Sequence, residues 1–124
     1  MAKNITQTEN KELTEQQNEA RKYLTPDVDI RDLNEHYEVY VDMPGVLKED
    51  VEVTTEGNTL RIRGKRSESY QHLSSFPGQT WFSRDLSLGY GIDRDKIEAK
   101  LQDGVLRLTL TKNDQSKTRK IDIN

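Results

Sequence analysis

Residues 96–112, KIEAKLQDGVLRLTLTK, constrain the fold more than any other stretch of the chain. Asp103-Gly104 suits a type I′ turn, which needs positive φ at both central positions. A two-residue turn there sets Gln102 opposite Val105. Leu101 then faces Leu106, Ala99 faces Leu108, and Ile97 faces Leu110. Every apolar residue of one arm meets an apolar residue of the other. A one-residue slip would turn one whole set to the opposite face. The spacing predicts a β-hairpin with a single apolar face.

The same period of two recurs upstream. In HYEVYVDMPG, Tyr37, Val39, Val41 and Met43 share one face, while His36, Glu38, Tyr40 and Asp42 share the other. Pro44-Gly45 closes that strand with a turn. VEVTTEGNTLRIRGKR reads as a second hairpin: Val51 and Val53 lead in, Glu56-Gly57-Asn58 turns, and Leu60 and Ile62 return. FSRDLSL alternates Phe82, Leu86 and Leu88 with polar residues but puts Arg84 on the apolar face. Six or more short strands with no long helix between them predict an all-β, immunoglobulin-like antiparallel β-sandwich over residues 26–112. Residues 67–80 are long for a hairpin loop and carry Tyr70, His72, Leu73 and Phe76. A loop of that length with apolar residues usually contacts something.

The chain's polarity should concentrate at its ends, since only 31% of it is apolar and 33% is charged. Residues 1–25 are rich in Gln, Asn and Glu, with an apolar stripe too thin for an isolated helix, and read as a disordered or transiently helical arm. Residues 113–124 are polar again until Ile121 and Ile123. A net charge of −3 gives no electrostatic case for nucleic acid or an anionic membrane. With no Cys, disulfides, thiol catalysis and zinc-thiolate sites are excluded. No apolar h-region opens the chain and no stretch approaches a membrane span, so a cytoplasmic protein is expected.

Catalytic chemistry finds no foothold in these residues. His36 and His72 lie on different predicted elements without a partner at ligand spacing. GNTLRIRGKRS has the wrong spacing for a phosphate loop. Gly89-Tyr90-Gly91 lacks the third glycine of a dinucleotide site. No serine sits in a nucleophile-elbow sequence. Tyr70, Phe76, Trp81 and Phe82 cluster near Arg84, but acidic neighbours spoil any basic stripe, and packing or an interface is the better reading. An enzyme is not expected, and no cofactor or metal is called for.

Taken in order, VYVDMPGVLKEDVEV, TLRIRGKR, FSRDLSL, IEAKLQDGVLRLTLTK and the terminal IDI resemble the α-crystallin domain and C-terminal I-x-I motif of small heat shock proteins of the bacterial and plant type. The resemblance runs from Pro26 to the C-terminus. It implies a chaperone that holds partly unfolded clients without ATP, with no cofactor. It implies a dimer in which a strand near Tyr70, Gln71, His72 and Leu73 crosses to the partner's edge near residues 27–32. It gives Arg84 a structural or interface role. It implies that Ile121 and Ile123 dock in a neighbour's groove lined by Val51, Val53, Ile97, Ala99 and Leu101. The chain departs from the family in its arm, which is polar with Tyr23 as its only aromatic. It also has Gly89-Tyr90-Gly91 where a proline is common, so local flexibility is expected there. The alternative is a sandwich-fold co-chaperone or adaptor that binds one defined partner as a monomer.

The tail can serve the first of these readings. Residues 113–120 can extend about 26 Å at roughly 3.3 Å per residue. Two buried isoleucines offer roughly 3 to 6 kcal/mol gross, and ordering a flexible tail consumes much of that. One docking event is therefore weak, and many in one assembly add through effective concentration.

Overall fold

A computed structural model of the chain describes residues 21–71 and 78–124. The Asp103-Gly104 pair turns the chain at φ values of 52° and 77°. Around it, Gln102 pairs with Val105, Leu101 with Leu106, Ala99 with Leu108 and Ile97 with Leu110. This is the register that the apolar pattern demands, and it joins β7 (Ile92–Gln102) to β8 (Val105–Lys112).

The other strands are β1 (Arg21–Leu24), β2 (Val28–Asp32), β3 (His36–Asp42), β4 (Val46–Glu56), β5 (Thr59–Arg66) and β6 (Gln79–Ser87). One sheet has the order β1-β6-β5-β4 and the other β2-β3-β8-β7. Each strand sends alternate residues inward. Val39 and Val41 of β3, with Met43 beyond it, meet Leu60 and Ile62 of β5 and Leu106, Leu108 and Leu110 of β8, all buried in one cluster. Phe82 and Leu88 close it from the β6 side. The expected β-sandwich is therefore present. The second hairpin turns at Gly57-Asn58, with Glu56 paired to Thr59 and Val53 to Ile62. Its first strand starts earlier than expected, at Val46, and carries an irregularity between Val46 and Val51.

Two stretches of the single chain take a form that their local sequence pattern does not suggest. The arm was expected to be disordered or helical to residue 25, yet Arg21–Leu24 forms β1, parallel to β6, with Tyr23 opposite Trp81. A bare sheet edge offers partners that low local propensity cannot predict. Leu24 packs against the core, and the Arg21 guanidinium lies over the Trp81 ring at 5.4 Å. Residues 1–20 of the arm lie outside the described residues. Tyr70 and Gln71, expected in a crossing strand, belong in the single chain to a helical turn, α1 (Glu68–Gln71). The Tyr70 ring sits against Gly45 and under the Arg66 guanidinium, 5.2 Å from its centroid. His72 and Leu73 lie outside the described residues.

Candidate functional site

β4 and β7 are edge strands of different sheets, and they run along the same side of the sandwich. Among the described residues no further strand covers their inward side chains. Val51, Val53 and Leu101 are consequently only half-buried, and Ala99 is exposed. Together with Leu106 at the floor they line an open groove of about 370 Å³. Lys48 and Lys100 stand on its rim. Four of the five expected groove residues thus come together. Ile97, the fifth, lies further along β7, half-buried against the core and outside the groove lining.

The candidate ligand is in the same chain but not in the groove. Ile121 is 82% exposed and Ile123 96% exposed. Before them the tail is held across the end of the sandwich. The Asn113 N–H donates to the Gly91 carbonyl at 2.8 Å, and Asn113 Nδ2 to the Tyr90 carbonyl at 2.7 Å. Ser116 Oγ donates to the Gly91 carbonyl at 2.6 Å. The Thr118 N–H donates to Asn34 Oδ1 at 3.1 Å, and Lys117 Nζ lies 3.0 Å from Glu35 Oε2. Glu35 and Asp114 together hold the Lys117 ammonium above the ordinary lysine range. Tyr90 and Gly91, in the stretch expected to be locally flexible, are therefore the points that hold the tail.

At the other edge, β2 pairs only with β3 among the described residues, leaving its outer side open. Ile30 on this strand is 55% exposed. An apolar hollow of about 240 Å³ lies beside it, between Tyr37, Leu86, Leu88, Ile92 and Leu110. Arg84 acts close by, inside its own domain. Its Nη1 donates to the Pro26 carbonyl at 3.1 Å, tying β6 to the segment that leads into β2. Trp81 and Phe82 of the aromatic cluster serve packing, with Phe82 buried in the core.

Two polar arrangements escaped sequence reasoning. Lys112 is almost fully buried, its Nζ 2.5 Å from Asp32 Oδ1 and 4.7 Å from the centre of the Tyr37 ring. The outer face of β3 carries Glu38, which accepts from Tyr40 Oη at 2.6 Å and Arg107 Nη2 at 2.8 Å, with His36 Nε2 at 3.3 Å. These three partners, Tyr40 foremost, hold the Glu38 carboxyl down to about 2. The same bond pushes the Tyr40 hydroxyl up. Glu38 and Tyr40 lie two apart on one strand face, a visible signal. Arg107 joins them only once β3 is known to pair with β8. Such a set stabilises a sheet face and has no nucleophile to activate. Among the described residues no group of three or more His, Asp or Glu could hold a metal, and no helix is long and apolar enough to cross a membrane.

The Hsp20/alpha crystallin family model matches residues 29–124. Small heat shock protein C2 of Rickettsia felis is 31% identical over 82% of this chain and 70% of its own length. Heat shock protein 16.0 of Schizosaccharomyces pombe superimposes with a TM-score of 0.64 at 34% identity, over 82% of this chain and 99% of that one. A small heat-shock protein from Xylella fastidiosa, whose crystal structure reveals a distinct high order structure, follows with a TM-score of 0.62 at 28% identity. It covers 82% of this chain and 97% of its own. On the family match over most of its length, and on the sandwich with which it agrees, this chain belongs to the Hsp20/alpha crystallin family of small heat shock proteins.

Proposed function

We propose that this protein is an ATP-independent holdase, built from dimers that join through their tails. One observation carries the reading: a half-covered apolar groove and an exposed Ile121/Ile123 pair occur in the same chain. Each leaves apolar surface in water that the other can cover. In extended chain Ile121 and Ile123 point to one side and Asp122 to the other. With both isoleucines in the groove, Asp122 stands at the rim beside Lys48 and Lys100. The docking is weak enough to exchange, and a groove that its tail has vacated is an apolar site for an unfolded client.

The dimer is proposed to form by strand exchange. The residues Tyr70, Gln71, His72 and Leu73 leave their own domain and pair with the open side of the partner's β2. The free edge of β2 and the exposed Ile30 support this, because such an edge is otherwise a liability. The helical turn at Tyr70 must then unwind, which its single turn makes inexpensive. Unfolded proteins and further copies of this chain are the partners, and no catalysis or cofactor is involved. The higher-order structure described for the Xylella fastidiosa relative supports assembly beyond the dimer.

The test is light scattering of a heat-labile protein warmed with and without this chain in the absence of nucleotide. Suppressed aggregation at near-stoichiometric ratios is expected. Unchanged aggregation, with this protein monomeric throughout, would overturn the reading in favour of an adaptor.

A further inference from the structure

The tail is not a free tether. β8 ends beside the β2–β3 turn, where the Lys112 N–H donates to the Glu35 carbonyl at 3.0 Å. From there the chain runs past Gly91 and on to Asn34, fixed by Asn113, Ser116, Lys117 and Thr118. Gly91 is fitted to this path. A Cβ on it would lie 2.6 Å from Ser116 Cβ and 2.8 Å from Ser116 Oγ. Any side chain at 91 therefore displaces the tail.

The last fixed point decides what the isoleucines can reach. From Thr118 to Ile121 is three residues, at most about 10 Å of chain. The chain's own groove is centred on Ala99 and Leu101, which pair with Leu108 and Leu106. Asn34 lies just past His36, which pairs with Thr111. The groove is thus several residues back along the strands and two strands across, about 20 Å away by strand geometry. Fixed at Thr118, the tail falls short of it. Released back to Lys112, nine residues before Ile121, it spans about 30 Å at roughly 3.3 Å per residue and reaches.

We propose that Gly91, Asn34 and Glu35 form a clamp that holds the root of the tail and reserves Ile121 and Ile123 for the groove of a second copy. The clamp residues position the tail and do not touch the docked isoleucines. The inference rests on the groove-and-tail reading above. It adds that the choice between another chain's groove and the chain's own is set by contacts remote from both. The side-chain hydrogen bonds of the clamp are exposed and individually weak, so the clamp opens more readily than the sandwich unfolds.

The chain has no cysteine, so two can be introduced cleanly. In Glu52→Cys with Asn124→Cys, one thiol stands on β4 between Val51 and Val53, exposed and outside the groove lining, and the other beside Ile123. A short bis-maleimide reagent then records which groove each tail occupies. With the clamp intact, links between chains are expected, with few loops within a chain. Adding Gly91→Ala, or separately Asn34→Ala with Ser116→Ala, should raise the share of internal loops about tenfold, because a released tail sees its own groove at high effective concentration. Circular dichroism verifies that each variant is folded, and two independent clamp variants guard against local damage by either one. Predominant loops in the clamp-intact protein would overturn the clamp while leaving the groove-and-tail reading in place. So would an unchanged ratio in both folded variants. No link of either kind would remove the groove-and-tail reading and the clamp with it.

Discussion

Arg84 Nη1 donates to the carbonyl of Pro26 at 3.1 Å, joining β6 to a residue 58 positions earlier in the chain. Pro26 is buried, so its carbonyl has little access to water. Arg84→Ala leaves that acceptor unpaired, and hydrogen bonds to charged groups contribute about 1.5–3 kcal/mol. Urea unfolding should show a loss of that size, with Arg84→Lys losing less. A midpoint unchanged in Arg84→Ala would mean that the bond does not hold the β2 edge in place.

Leu108 and Ala99 face each other across β7 and β8 but carry opposite roles. Leu108 is fully buried in the core, and Leu108→Ala should cost about 2–5 kcal/mol through lost burial and the cavity left behind. Ala99 is exposed in the groove, so Ala99→Phe should leave stability within about 0.5 kcal/mol. It should nevertheless occupy the docking site and reduce the assembly to dimers. Thermal melts paired with light scattering separate the two effects.

Glu38 makes stability depend on acid. Its folded-state value of about 2 lies below the ordinary 4.5, so folding favours the ionised form. That contribution is fully present above pH 4.5 and disappears as pH falls toward 2. Unfolding free energy should decline over this window. In Glu38→Gln the decline should be shallower, and the protein less stable than the wild type at pH 7. Parallel slopes for the two proteins would place the acid-sensitive group elsewhere.

The lysines on the groove rim should read Asp122. Lys48→Glu with Lys100→Glu replaces attraction by repulsion and should shift the assembly toward dimers. The shift should shrink as salt rises, since exposed charges are screened within about 8–10 Å. Asp122→Lys introduced into the same double variant should restore assembly. Failure of that charge swap to restore anything would argue against the proposed orientation of the tail.

The β7–β8 hairpin was legible because turn chemistry and apolar matching point independently to one register. The groove's members were placed by family resemblance; the alternation alone shows only that Val51, Val53, Ala99 and Leu101 face inward. That they line one groove depends on β4 and β7 being edges on the same side, a matter of sheet order that no local pattern encodes. Ile97 shares their inward orientation but lies further along β7, outside the groove lining. β1 was hidden for a related reason, because parallel pairing with β6 leaves no turn between the two strands. Lys112 looked like an ordinary end to an alternating strand, while its partner Asp32 lies 80 positions away. The tail clamp joins Gly91 to Ser116 over 25 positions, and a Gly-Tyr-Gly sequence signals freedom where the packed structure uses it as space.

Ile121 and Ile123 are proposed to hold copies of this chain together through the β4–β7 groove. The most direct test is the native mass of the intact protein beside Ile121→Ala with Ile123→Ala, measured by light scattering at matched concentration. An assembly larger than a dimer is expected for the intact chain and a stable dimer for the double variant. The same mass above dimer in both would contradict that role.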